Sequence, residues 1–253
     1  MDCRRSQFRK RRLMYPDIAS DKEFPPFSAV HLLVLAILVA IGATLILLGR
    51  KGGGYAERQR VFLGWLLLAQ YPLELALTFG WGRFSVHQSI PLHMCDFVFV
   101  VGGLALLLKK PLLMDLTYFW GAAGTSQSLF TPVLMGAAFP HPGFFYFFLS
   151  HGLGVISAFY VVLAMDHRPT LGSVWIALLC ANVYAALTAC VNAALGTNYA
   201  YLCHKPEEDT LISLLGPWPW YILSLEFVAA AFFLILWAPF GICARRRSPG
   251  AVA

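Results

Sequence analysis

Ile90-Pro91-Leu92-His93-Met94-Cys95-Asp96-Phe97 sets an imidazole, a thiol and a carboxylate at the mouth of an apolar run that continues to Leu108. The run stops at Lys109-Lys110-Pro111, and another, Leu112–Phe130, begins at once. About 20 apolar residues span the hydrocarbon core of a bilayer. Two such runs split by so short a turn predict antiparallel neighbours that both cross it. The same ruler selects Phe27–Leu48, Val61–Phe79, Phe144–Ala164, Leu171–Leu195 and Trp220–Pro239, and it places the third span at Ile90–Leu108. The expected fold is all-α, a polytopic membrane protein with a seven-transmembrane-helix bundle over residues 27–240. A polar basic tail (1–26) precedes it and a basic tail (241–253) follows it.

Composition points the same way. Of 253 residues, 58% are hydrophobic and 13% charged, whereas soluble domains carry about 25% charged residues. The six cysteines, Cys3, Cys95, Cys180, Cys190, Cys203 and Cys243, are scattered. They form neither a disulfide framework nor a zinc-knuckle spacing. The net charge of +6 collects in tails and short loops. In a membrane protein that fits anionic lipid, not nucleic acid. Phe27–Leu48 is too long for the apolar core of a signal peptide and lacks a small-residue cleavage site, so it reads as a retained first helix.

Seven spans put the termini on opposite sides. Arg50, Lys51, Arg58, Arg60, Lys109, Lys110 and Arg168 share a side with Arg245-Arg246-Arg247, while the other loops offer only Arg83 and Lys205. The positive-inside rule makes the first side cytoplasmic and the N-terminus external, in the cell membrane. The basic run Arg9–Arg12 argues the reverse, but most of the tail lies beyond the window in which flanking charge counts. Loops 2–3, 4–5 and 6–7 then face outward, carrying Trp81, His87, Pro140-His141-Pro142 and Asn198-Tyr199-Ala200-Tyr201. Lys205–Leu215 is expected to form a short surface helix. Trp218, Trp220 and Tyr221 are expected in an aromatic belt.

Polar residues within the spans cluster in depth. Glu74, the trio His93, Cys95 and Asp96, Gln127, His151, Asn192 and Glu226 fall within roughly 12 Å of one another along the membrane normal. Asn182 and Asp115 lie deeper. Shared depth suits a polar cavity open to the outer leaflet, since an ionised group facing lipid costs several kcal/mol. Taken singly, each of these residues reads equally well as a bond between neighbouring helices, Gln127 and Asn192 above all. The stripe Ser150, Gly154 and Ala158 reads as close packing. His93, Asp96, His151 and Glu226 together favour function. On a regular helix His93 and Asp96 share a face, Cys95 lies on another, and Pro91 suits the first turn.

At Ile90–Asp96 the chain resembles the YwaF family of bacterial integral membrane proteins. The likeness continues through Tyr118-Phe119-Trp120-Gly121, Phe139-Pro140-His141-Pro142, Ser150-His151-Gly152, Gly196-Thr197-Asn198-Tyr199 and Gly216-Pro217-Trp218-Pro219-Trp220-Tyr221. It covers nearly all of the chain after the first helix. The chain is similar, more distantly, to the transmembrane protein 164 family of eukaryotes, which is implicated in acyl transfer to ether phospholipids through a cysteine. In that family the cysteine directly precedes the histidine. Here the histidine carries over to His93, Leu92 holds the cysteine's place, and the thiol comes at Cys95.

Three functions compete. The first is acyl transfer or ester hydrolysis on a membrane lipid, with His93 as base, Asp96 as its orienter, Cys95 as nucleophile and His151 in the same cavity. Glu74, Gln127, Asn192, Asn198, Tyr199, Tyr201, Trp220 and Glu226 would line the substrate site. The second is a zinc-dependent lipid hydrolase using His93, Asp96, His141 and His151, although no HxxxH pair is present and no cofactor is expected. The third is a non-catalytic transporter or receptor-like binding protein. The nearly apolar inner half of the helices argues against a transporter, and the absence of lysine from the seventh span argues against a retinal protein. Membrane lipids are the expected partners, with no nucleic acid or protein partner indicated.

Overall fold

The computed structural model describes residues 24–80, 82, 84–134, 137–206 and 210–247. The tail through residue 23, Trp81, Arg83 and residues 248–253 lie outside the described residues. All regular structure among the described residues is helical. Five helices are long and apolar enough to cross a membrane: Ala29–Arg50, Gly53–Gly80, Pro142–Leu163, Leu171–Leu195 and Trp220–Ile242. Helix α1 is Ala29–Arg50, and α2 (Gly53–Leu68) continues into α3 (Gln70–Gly80). Met94–Leu108 is α4. Pro111–Phe119 (α5), a π turn at Trp120–Thr125 and Ser126–Phe130 (α6) run on as one helical stretch. Pro142–Leu163 is α7, Leu171–Leu195 is α8 and Trp220–Arg247 is α9.

Local chemistry sets the ends of these elements. Ser28 accepts the His31 N–H at the start of α1, Pro142 stands in the first turn of α7, and Thr170 and Ser173 cap α8 reciprocally. Helix α8 stops at Gly196, whose φ of 67° suits a residue without a β-carbon. Lys109 turns left-handed (φ 55°) and Pro111 opens α5, which makes the tight turn expected between spans three and four.

Three expectations need correction. The second span runs longer than expected, Gly53–Gly80, with a turn at Ala69 where Pro72 has no N–H to give the Leu68 carbonyl one turn back. The third helix begins at Met94, four residues later than expected, and Pro91 lies in irregular chain before it. Its 15 residues cover only about 22 Å, short of the roughly 30 Å of a hydrocarbon core. The short helix expected over Lys205–Leu215 shrinks to a 3-10 turn, Leu211–Leu214, with residues 207–209 outside the described set.

Glycines set how closely the helices approach. A β-carbon on Gly103 of α4 would lie 2.6 Å from Leu68 Cγ and 2.9 Å from the Gly64 carbonyl of α2. One on Gly121 would lie 2.9 Å from Ala158 Cβ and 3.0 Å from the Gly154 carbonyl of α7. Gly154 and Ala158 of the small-residue stripe therefore lie at the seam between α7 and the π turn, as their spacing suggests. The buried core includes Val98, Phe99, Leu106, Phe119, Val161 and Val174. Large apolar side chains such as Leu179, Phe227 and Ile235 point outward. That inversion of a soluble surface is what hydrocarbon surroundings require, and the chain is a multi-pass membrane protein.

Candidate functional site

The short α4 leaves residues 86–93 as irregular chain beside its N-terminus, with backbone groups that need partners. Tyrosines supply four of them. Tyr199 donates to the Val86 carbonyl at 2.6 Å and accepts the Ile90 N–H at 3.1 Å. Tyr71 donates to the Ser89 carbonyl at 3.2 Å. Tyr184 donates to the Leu92 carbonyl at 2.7 Å. Burial raises the Tyr199 phenol above its ordinary range, so it stays protonated and fills both roles. Three phenols from α3, α8 and the Tyr199–Tyr201 turn thus clamp the chain leading to His93.

His93 is the N-cap of α4. Its backbone N–H donates to Asp96 Oδ2 at 3.0 Å, while the Asp96 N–H returns to the His93 carbonyl at 3.0 Å. The expected helical i,i+3 pair is therefore a capping arrangement. Asp96 orients the His93 main chain, not its ring. The ring faces the Asp96 N–H as the side-chain half of the capping box, and no hydrogen bond ties it to any other described residue. It meets Tyr199 edge-to-face and Tyr201 at a tilt, with centroids 5.3 and 5.6 Å away. Cys95 Sγ faces Asp96 Oδ1 at 3.9 Å, and no bond joins it to His93.

Three further polar groups close around this point. Glu74 on α3 and Asp96 lie within electrostatic reach of each other, as do His151 and His93. Tyr146 donates to the Gln70 carbonyl at 2.9 Å, with Glu74 Oε2 at 3.4 Å. His151 hydrogen-bonds through Nδ1 to the Phe147 carbonyl at 2.8 Å, which leaves Nε2 without a bond to a described residue. Its ring stacks on Phe147 and meets Phe99 edge-on. Glu74, His93, Cys95, Asp96 and His151 are therefore linked one to the next by a bond or by electrostatic reach, with Tyr199 and Tyr201 on one side of His93.

The other expected site residues stand apart. Asn192 is fully buried and spends its amide on Tyr199 and Thr197. Asn198 binds the backbone of Cys203 and His204. Both hold the loop that carries Tyr199. Glu226 accepts from Asn182 at 2.9 Å, between α8 and α9. Trp220 is 64% exposed at the start of α9, whereas Tyr221, expected beside it in the belt, is buried and donates to the Tyr201 carbonyl. Gln127 is half-buried in α6, with no side-chain bond to the group. His141 accepts the Gly143 N–H as the cap of α7. Among the described residues no three of His, Cys, Asp and Glu converge as metal ligands.

Nothing in the spacing of Tyr71, Tyr146 or Tyr184 marks them as site residues. The available signal was chemical: a phenol in an apolar run carries one polar atom that needs a partner. His31 shows the contrasting case. It is fully buried in α1, with Nδ1 accepting the Phe27 N–H at 2.8 Å and Nε2 bonded to the Leu129 carbonyl at 2.7 Å. It pins α1 to the end of α6.

A family model described as the TMEM164 family matches residues 26–237, from just before α1 to most of the way along α9. No curated protein and no solved structure matches the chain.

Proposed function

The chain belongs to the TMEM164 family, and from that premise and the geometry around His93 we propose a seven-span membrane enzyme that transfers or hydrolyses an acyl ester of a membrane lipid. In this reading α4 and the continuous stretch Pro111–Phe130 add two spans to the five longer helices. The N-terminus lies outside the cell membrane and the C-terminus in the cytoplasm, and the polar chamber opens to the outer leaflet.

One observation carries the reading: outside its own capping box with Asp96 the His93 ring has no hydrogen bond to a described residue, although its main chain is held at the N–H and through the neighbouring carbonyl. A purely structural histidine in the same molecule, His31, is bonded at both nitrogens. Irregular backbone at membrane depth also needs a reason, because it is tolerated only inside protein or along a wet cavity. The 86–93 stretch meets that condition through its tyrosine clamp.

His93 acts as general base. A lipid hydroxyl or a water gives its proton to a ring nitrogen while its oxygen bonds to the ester carbonyl carbon. The tetrahedral adduct then expels the alkoxide, which takes the proton back from the imidazolium. Cys95 faces Asp96 instead of His93, so this route needs no thiol nucleophile. His151 Nε2, Glu74 and Tyr146 line the polar wall around the reacting groups.

The test is lipid turnover in membranes carrying wild-type protein, His93→Ala or Cys95→Ala, with labelled acyl lipid as substrate. The proposal expects activity lost in His93→Ala and retained in Cys95→Ala. Equal turnover in wild type and His93→Ala would remove the enzymatic reading and leave a binding protein.

A further inference from the structure

We infer that the protein pairs with a second copy of itself along the exposed face of α8 centred on Asn182, beside α9. The starting observation is a polar pair in the wrong surroundings. Asn182 lies near the middle of α8, a helix apolar enough to cross a membrane, and its side chain is exposed. Its Nδ2 donates to Glu226 Oε2 of α9 at 2.9 Å and to the Leu178 carbonyl at 3.0 Å. Asn182 Oδ1 and Glu226 Oε1 have no bond to a described residue. Around them the surface is apolar, with Leu179 at 64% and Phe227 at 70% exposure. Lipid tails offer such a pair nothing, and polar groups facing hydrocarbon are costly.

The spacing along α8 indicates what covers it. Trp175, Leu179, Asn182, Ala186, Ala189 and Ala193 follow one another at intervals of four and three residues, and all six are exposed. This is the spacing of a two-helix coiled-coil seam, with one amide inside an otherwise apolar line. A single polar residue in such a seam fixes register between parallel copies. A two-fold axis along the membrane normal would set α8 parallel to α8 of the second copy, and the alanines toward the outer end would let the backbones approach.

The hydrogen bonding is complementary to itself. The Leu178 carbonyl is already the acceptor of the helix's own i→i−4 bond from the Asn182 N–H. That carbonyl therefore keeps a partner when the second amide hydrogen of Asn182 leaves it for the other copy's carboxylate. Each copy supplies one such donor and one unused carboxylate oxygen, so both are matched across the axis.

The experiment uses the full chain in lipid vesicles. Ala186→Cys and Ala189→Cys are made in a Cys190→Ser background, with Phe62→Cys on the exposed face of α2 as control. Separately, energy transfer between labelled copies is followed on dilution into excess lipid, for wild type and Asn182→Leu. Self-pairing predicts cross-linked dimers at positions 186 and 189 but not at 62, and a dissociation constant raised about three- to thirtyfold by Asn182→Leu. The inference is overturned by a monomer at every dilution, by equal cross-linking at 62, by an Asn182→Leu dimer as tight as wild type, or by lipid or another protein bound to the seam of a monomer. None of these readings depends on lipid turnover.

Discussion

Asp96 touches His93 only through the backbone N–H, and that contact separates two roles a carboxylate could play here. Asparagine keeps an oxygen acceptor for the N–H, whereas alanine does not. Asp96→Asn is therefore expected to retain most of the turnover of wild type, and Asp96→Ala to lose it together with about 1 kcal/mol of helix capping. A loss as complete in Asp96→Asn would show that the charge itself is needed. Tyr184→Phe removes the phenol from the Leu92 carbonyl without altering the ring packed on Phe97. A base displaced by about 1 Å costs up to roughly 100-fold in rate, so kcat should fall with little change in thermal stability. His31→Ala has the opposite signature. It leaves the Leu129 carbonyl and the Phe27 N–H unpaired, at about 1–3 kcal/mol each. A lower Tm in detergent with unchanged turnover per folded molecule is the expected result.

At the level of the helices, existence was legible and ends were less so. Runs such as Leu171–Leu195 follow directly from the apolar ruler, and that helix has the expected bounds. The start of α4 was misplaced because Pro91 fits a first helical turn, yet the capping exchange between His93 and Asp96 fixes the boundary three residues later. No residue pattern announces the π turn at Trp120–Thr125, which sits where Gly121 lets α7 come close. Of the residues expected at one depth, Glu74, His93, Cys95, Asp96 and His151 each lie within bonding or electrostatic reach of another in the set. Glu226 and Asn192 do not, because depth along the normal says nothing of which way a helix turns its face. The glycine contacts yield a prediction of their own. Gly103→Leu would drive a side chain into Leu68 and the Gly64 carbonyl, and overpacking of this kind costs about 1–3 kcal/mol or more. A lowered Tm and protease-sensitive α2 are expected, and an unchanged melting curve would count against the close α2–α4 approach.

For the whole molecule, the polar group stands at one end of a bundle whose opposite end is tied by different chemistry. There Asp115 meets His167 at 2.7 Å, and Glu57 bridges Arg60 and Lys109. The two ends share no described bond, which suits the proposed chamber served from one side only. The proposed sidedness, with the His93 imidazole as its base, can be read by chemical modification. Proteoliposomes with the N-terminus outward would be treated with diethylpyrocarbonate, which carbethoxylates accessible, unbonded imidazoles, and each histidine would then be mapped by mass spectrometry. The expected result is rapid modification of His93, suppressed by added lipid substrate, with His31 untouched. Modification of His93 no faster than that of His31 would contradict a free base in a wet chamber beneath the outer headgroups.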